Sequence, residues 1–224
     1  MQEPINKLDL RAIRIFLDRA DNSNRGNLHS LIPKSFKEIS SIEVVRLNYS
    51  DIVIVPECIY LLTSLIFLDL GSCRLNRDDS FPDTFWQLTG LERLHLYGNN
   101  LTSIPSGIGQ LSSLTYLVLN NNNLVSLPDE IYQLTNLTQL NLNNNKLESI
   151  SEEIGKLTNL TDLYLQYNNL MKLPKSIGNL VNLKEAELDI SDNPLKSLPD
   201  SIRKVEHALS GDSKAEYKLL LEDV

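Results

Sequence analysis

Asp69, His95 and Ser72 are the residue types from which a hydrolytic triad is built: an acid to orient, an imidazole to take a proton, a hydroxyl to attack. His29, His95 and His207 are scattered along the chain without His-x-x-x-His spacing, so no zinc-binding pattern is formed, and no other metal or cofactor motif is present. Gly107-Ile108-Gly109 does not sit between a strand and a helix N-terminus, so it is no phosphate loop. A different chemistry is suggested by Phe67, Arg93, Tyr97, Tyr116 and Val118, which with His95 have the composition of a protein-recognition surface. Whether any of these groups converge depends on the elements that carry them.

Those elements repeat. From Leu91 the chain reads LERLHLYGNNLTSIPSGIGQLSS, LTYLVLNNNNLVSLPDEIYQLTN, LTQLNLNNNKLESISEEIGKLTN and LTDLYLQYNNLMKLPKSIGNLVN, with each repeat 23 residues long and a fifth beginning at Leu183. A fixed period of this size is the signature of a solenoid. Within a repeat, Leu137, Leu140 and Leu142 alternate with Gln139, Asn141 and Asn143, which predicts a short strand with one buried face. One such strand cannot bury its apolar side alone, so successive repeats must stack into a parallel sheet over a leucine core. Asn99, Asn122, Asn145, Asn168 and Asn193 recur where the chain turns off the strand, and a carboxamide, both donor and acceptor, can there form a ladder answering backbone groups that no sheet satisfies. Leu-Pro pairs such as Leu127-Pro128 and Leu173-Pro174 then favour extended or turn backbone over regular helix.

The pattern L-x-x-L-x-L-x-x-N-x-L followed by L-P-x-x-I-x-x-L resembles the leucine-rich repeat family in its 23-residue, proline-containing class. The resemblance implies an α/β, right-handed solenoid or horseshoe, with a parallel concave sheet and a thin outer side of turns and short helical pieces. It also implies protein binding on the concave face. Families of this repeat type include bacterial effectors that act inside a host cell, and a regulatory or scaffold subunit of a signalling enzyme is a further reading.

Composition narrows the rest. The net charge of −8 and the lack of a basic cluster argue against DNA or RNA as partner. No apolar run reaches membrane-spanning length, and the N-terminal stretch is a poor signal peptide. With two cysteines, Cys58 on the outer side and Cys73 at the ladder place, free thiols in a reducing compartment are expected. A cytoplasmic protein is therefore expected, with secretion into a host cell, without a classical signal peptide, as the alternative.

Three regions follow. Residues 1–41 read as an N-terminal helical cap over 8–20, a loop at Asp21–Gly26 and a degenerate half-repeat with Ile32-Pro33, Phe36 and Ile39. Residues 42–204 hold seven repeats. The second, Leu65 to Gly90, is longer by a polar insertion at Asn76–Ser80, and the seventh keeps phase only if a bulge near Lys184–Glu187 adds two residues. Residues 205–224 read as a helical cap, with Gly211-Asp212 as a break and Ser213 as the N-cap of a helix carrying Tyr217, Leu220 and Leu221.

Strand residues turned away from the core line the concave face. Its N-terminal third carries Phe67, Arg93, His95, Tyr97, Tyr116 and Val118, its middle carries amides such as Asn141, and its acidic C-terminal third contains Tyr164 and Tyr167. These nine residues are the candidate contacts for a protein partner whose identity, like the oligomeric state, the sequence does not specify. The same residue types also suit a strand surface with no partner. Asp69 and His95 become cross-strand neighbours here, but Ser72 falls at the strand's end, so no nucleophile completes a triad and a non-catalytic protein is expected.

Overall fold

Alternating leucines become the aligned rungs of one open sheet. In a computed structural model, which describes residues 7–23, 35–76 and 79–222, seven strands pair in parallel and in sequence order. They are β1 (Val44–Arg46), β2 (Phe67–Asp69), β3 (Arg93–His95), β4 (Tyr116–Val118), β5 (Gln139–Asn141), β6 (Asp162–Tyr164) and β7 (Leu188–Asp189). Val45, Leu68, Leu94, Leu117, Leu140, Leu163 and Leu188 stand in one register across all seven and are buried. Strands this short gain stability only from stacking, since each repeat buries its leucines against the next.

The return side of each repeat is one five-residue 3-10 helix, such as Ser106–Gln110 or Lys175–Asn179, led by a residue with extended backbone. Proline holds that lead place with φ near −65°, as at Pro128 (φ −69°). Where the fifth repeat has Ser151 instead, its hydroxyl accepts the Glu153 N–H and closes the turn by another route. Ile108, Ile131, Ile154 and Ile177 point from these helices into the core. Cys58 lies on this outer side yet is buried, and neither Cys58 nor Cys73 forms a disulfide.

The expected bulge is present. Ala186 takes a positive φ, the Glu187 N–H reaches the Lys184 carbonyl at 3.2 Å, and the extra residues are absorbed before Leu188 pairs with Leu163. Of the insertion in the second repeat, Arg77 and Asp78 lie outside the described residues. Its last residue, Ser80, is buried, with its hydroxyl on the Val53 carbonyl at 2.9 Å.

The ends depart from expectation in detail. Helix α1 (Lys7–Ser23) runs past residue 20 and takes in Asp21–Ser23, because no glycine or proline precedes Gly26 to stop it. It buries Ile13 and Phe16 in the core. Asn24–Gly26 and Ile32-Pro33 lie outside the described residues, and a short α2 (Phe36–Ser40) buries Ile39 while leaving Phe36 exposed. At the other end Ser210, not Ser213, caps helix α3 (Gly211–Glu216), and α4 (Lys218–Glu222) follows. Gly211 and Asp212 begin this helix rather than breaking anything. Between the last repeat and α3 the chain makes two 3-10 turns, Asp200–Lys204 and Glu206–Ala208, and Leu209 then bridges Leu188 as a further parallel rung. The leucine has a free sheet edge to add to, which outweighs continuing a helix.

Candidate protein-binding face

The asparagine recurrence has a plain physical consequence. Asn122 Nδ2 donates to the carbonyls of Leu96 (3.0 Å) and Leu119 (2.9 Å), while its Oδ1 accepts the N–H groups of Asn99 and Leu101 (3.0 Å each). Asn99, Asn145, Asn168 and Asn193 bind the backbone of their own and the preceding repeat in the same way. The ladder weakens toward the N-terminus, where Cys73 and then Ser50 take the place: both reach the Leu47 carbonyl and each other, and Cys73 adds only a long contact of 3.8 Å to the Gly71 carbonyl. Burial pushes the Cys73 thiol above its ordinary pKa, so it sits there protonated. At the C-terminal end the Tyr217 hydroxyl accepts the Asn193 N–H (3.1 Å) and donates to the Asn193 carbonyl.

A second ladder, which the sequence reading missed, runs along the other strand end. Asn136, Asn159 and Asn182 donate to the carbonyls of Ser112, Thr135 and Thr158 at 2.8–2.9 Å. Its signal was available, since asparagine recurs at the last place of three consecutive repeats.

These ladders hold the strands rigidly and leave one sheet face open. On it, around β2 to β4, aromatic rings gather about His95: Phe67 meets it edge-on at 4.8 Å, Tyr116 lies at 5.6 Å and Tyr97 at 6.3 Å between ring centres. Tyr97 lies across Gly71, where a Cβ would overlap its ring; glycine is what lets the ring lie flat on the sheet. Burial, then the neighbouring Asp69 carboxylate, push the Tyr97 hydroxyl up to about 12. The Arg46 guanidinium sits 5.0 Å over the Phe67 ring. Val118 pairs with His95 across β3 and β4, and Arg93 is exposed beside them.

Asp69 is 7% exposed and lies 3.6 Å from His95 Nδ1, and its other oxygen accepts the Gly71 N–H at 2.9 Å. Among the described residues no group of three or more His, Cys, Asp or Glu is placed to hold a metal ion. No described helix is long and apolar enough to cross a membrane.

Farther along, Asn141 and Tyr164 occupy one rung, and the Tyr164 hydroxyl donates to Glu187. Burial and that carboxylate raise the Tyr164 hydroxyl well above its ordinary value. Asp162 is 8% exposed, lying under Thr161 and 3.7 Å from Lys184, so it is less available than its place on the strip implied.

The missed member of the site is Tyr49. In every repeat the eighth residue leaves the strand with positive φ: Tyr49, Ser72, Gly98, Asn121, Asn144, Tyr167 and, after the bulge, Asp192. Glycine, asparagine and aspartate tolerate that backbone; a tyrosine does not without strain. Yet Tyr49 is 70% and Tyr167 53% exposed, so neither is held there by burial. Tyr49 meets Tyr97 edge-on at 6.4 Å, which extends the aromatic cluster to β1, and Tyr167 hydrogen-bonds Asp192, which raises its hydroxyl pKa.

Two family models match the chain: a leucine-rich repeat region over residues 68–165 and a leucine-rich repeat over 159–180. A solved structure of a leucine-rich repeat protein from Leptospira interrogans is 37% identical over 79% of this chain and 43% of its own, with a TM-score of 0.70. An internalin of Listeria monocytogenes is 26% identical over 76% of this chain and 46% of its own, with a TM-score of 0.61. The chain thus spans less than half the length of either. No curated protein matches it.

Proposed function

The chain belongs to the leucine-rich repeat family, whose fold is generally a protein-interaction module, and from that premise we propose that it is a non-catalytic module binding a protein partner on the open, concave face of its sheet. The observation that carries this reading is the continuous aromatic surface from Tyr49 through Tyr97 and His95 to Phe67 and Tyr116. Rings of this kind beside Arg93 are the residues that dominate interface energies. The backbone beneath them is held by the asparagine ladder, so little conformational entropy remains to be lost on binding.

Asn141, Tyr164 and Tyr167 extend the same surface toward the C-terminus. Residues 42–204 are then the binding solenoid, while 1–41 and 205–224 close its ends; the burial of Ile13, Phe16 and Tyr217 supports that division. Two cysteines outside any disulfide support a reducing, cytoplasmic setting. The test is capture of partners by the wild-type chain and by a Tyr97→Ala/Tyr116→Ala double variant. Captured partners should be lost from the variant, whose melting temperature serves as the folding control. A partner retained undiminished by a folded double variant rejects the assignment.

A further inference from the structure

Charge is divided along the open face. On the strands β1 to β3 the exposed charges are Arg46 and Arg93, with Glu43 and Glu92 exposed one place before β1 and β3 and the carboxylate of Asp69 largely covered. Around β6, β7 and the turn that follows, Glu187, Asp189 and Asp192 accompany the covered Asp162, with Asp212 and Glu216 of α3 close behind. Lys184 lies 3.7 Å from Asp162, and α3 carries Lys214. Between the two ends, the carboxamide oxygens of Gln139, Asn143 and Gln166 are covered by the surrounding chain and have no hydrogen-bond partner among the described residues.

The C-terminal third of the face, around β6 and β7, is therefore rich in carboxylates. Carboxylates call for groups that donate and do not accept, and among side chains those are the guanidinium of arginine and the ammonium of lysine. Tyr164 and Tyr167 add ring faces beside the carboxylates, an arrangement that further favours a cation. At the N-terminal end the requirement is different. Arg46 already lies over Phe67, so the chain supplies its own cation there, and what stays open is the apolar surface between Tyr49, Tyr97 and Tyr116.

We propose that the partner presents an extended basic segment, its arginine and lysine side chains over β6 and β7 and a bulky apolar residue between Tyr49, Tyr97 and Tyr116. This rests on the open face being the binding surface. Seven strands at ~4.8 Å make a strip roughly 29 Å long, which an extended peptide covers with about nine residues. The net charge of −8 draws a basic partner toward the protein before contact is made.

Selection from a random library of peptides of about twelve residues against the full chain tests this. Affinities of the selected peptides would then be measured against wild type, Glu187→Gln/Asp192→Asn and Tyr97→Ala/Tyr116→Ala, with each variant's melting temperature as folding control. Selected peptides should be strongly basic, weaken about tenfold on the neutralised pair, and weaken again as salt is raised. Neutral or acidic winners, no winners, or basic winners indifferent to the neutralised pair overturn the proposal. Neutral winners that still lose affinity to the tyrosine variant remove the basic partner but keep the open face as the binding surface; indifference to both variants removes both. Sedimentation showing a dimer that the tyrosine variant dissolves would give the face to a second copy of the chain, and likewise overturn it.

Discussion

The middle of the solenoid and its ends pass through the same left-handed turn with different side chains. In repeats four and five that turn holds Asn121 (φ 55°) and Asn144 (φ 53°), short amides that suit the backbone. In repeats one and six it holds Tyr49 (φ 62°) and Tyr167 (φ 55°), large rings left mostly in water. Asparagine at all four places would satisfy the fold equally well. The middle repeats thus show what stacking requires, and the end repeats show side chains that stacking does not require, lying at the two margins of the proposed binding strip. Strain kept at an exposed place points to function.

Four measurements test this difference between middle and ends. The largest effect should come from the middle. Asn122→Ala leaves buried backbone donors and acceptors unanswered and should lower unfolding free energy by about 3 kcal/mol. Cys73→Ala, at the weak end of the same ladder, should cost only about 1 kcal/mol. Urea denaturation measures both, and equal losses would mean the ladder is not graded. Next, Gly71→Ala should push the Tyr97 ring off the sheet and weaken partner binding about tenfold, or ~1.4 kcal/mol, with a smaller loss of stability. Titration calorimetry beside thermal melting separates the two quantities.

A reciprocal exchange follows. Tyr49→Asn and Tyr167→Asn should each gain about 1 kcal/mol of stability while losing affinity, and Asn144→Tyr should lose about as much stability. If Tyr49→Asn stabilises without touching binding, the strained tyrosine has no part in recognition. The smallest effect is alkaline. The Tyr97 hydroxyl is raised in the fold to about 12, so its neutral form is favoured there. The stability it contributes is fully present below the ordinary tyrosine value of about 10 and is lost as pH rises through about 12. Stability measured across that window should fall less steeply in Tyr97→Phe, and tyrosinate absorbance should show one late-ionising group fewer.

Much of the architecture was legible because the period does the work of an alignment. Leu94, Leu117, Leu140 and Leu163 repeat at one place, so their register follows from counting, and even the two-residue slip before Leu188 was readable as a break in phase. Of the candidate face, the residues at alternate places of each strand were legible too, since alternation assigns a side. Their burial was not. Asp162 and Tyr164 occupy equivalent outward places by pattern, yet the first is covered by its neighbours Thr161 and Lys184. Tyr49 holds the same eighth place as Tyr167, and its membership of the aromatic cluster came only with its ring contact to Tyr97.

What the sequence determined by itself was therefore the stack: a leucine at every equivalent place can be buried only by another leucine one repeat away, whatever the details. Only the tertiary structure decided which outward groups cover one another. Tyr97 lies over Gly71, Ser210 displaces Ser213 as the cap of α3, and Tyr217 answers the backbone of Asn193, because each depends on the shape and orientation of groups brought from a neighbouring turn of the chain. Periodicity is a property of one dimension, while the use of a surface depends on contacts made in three.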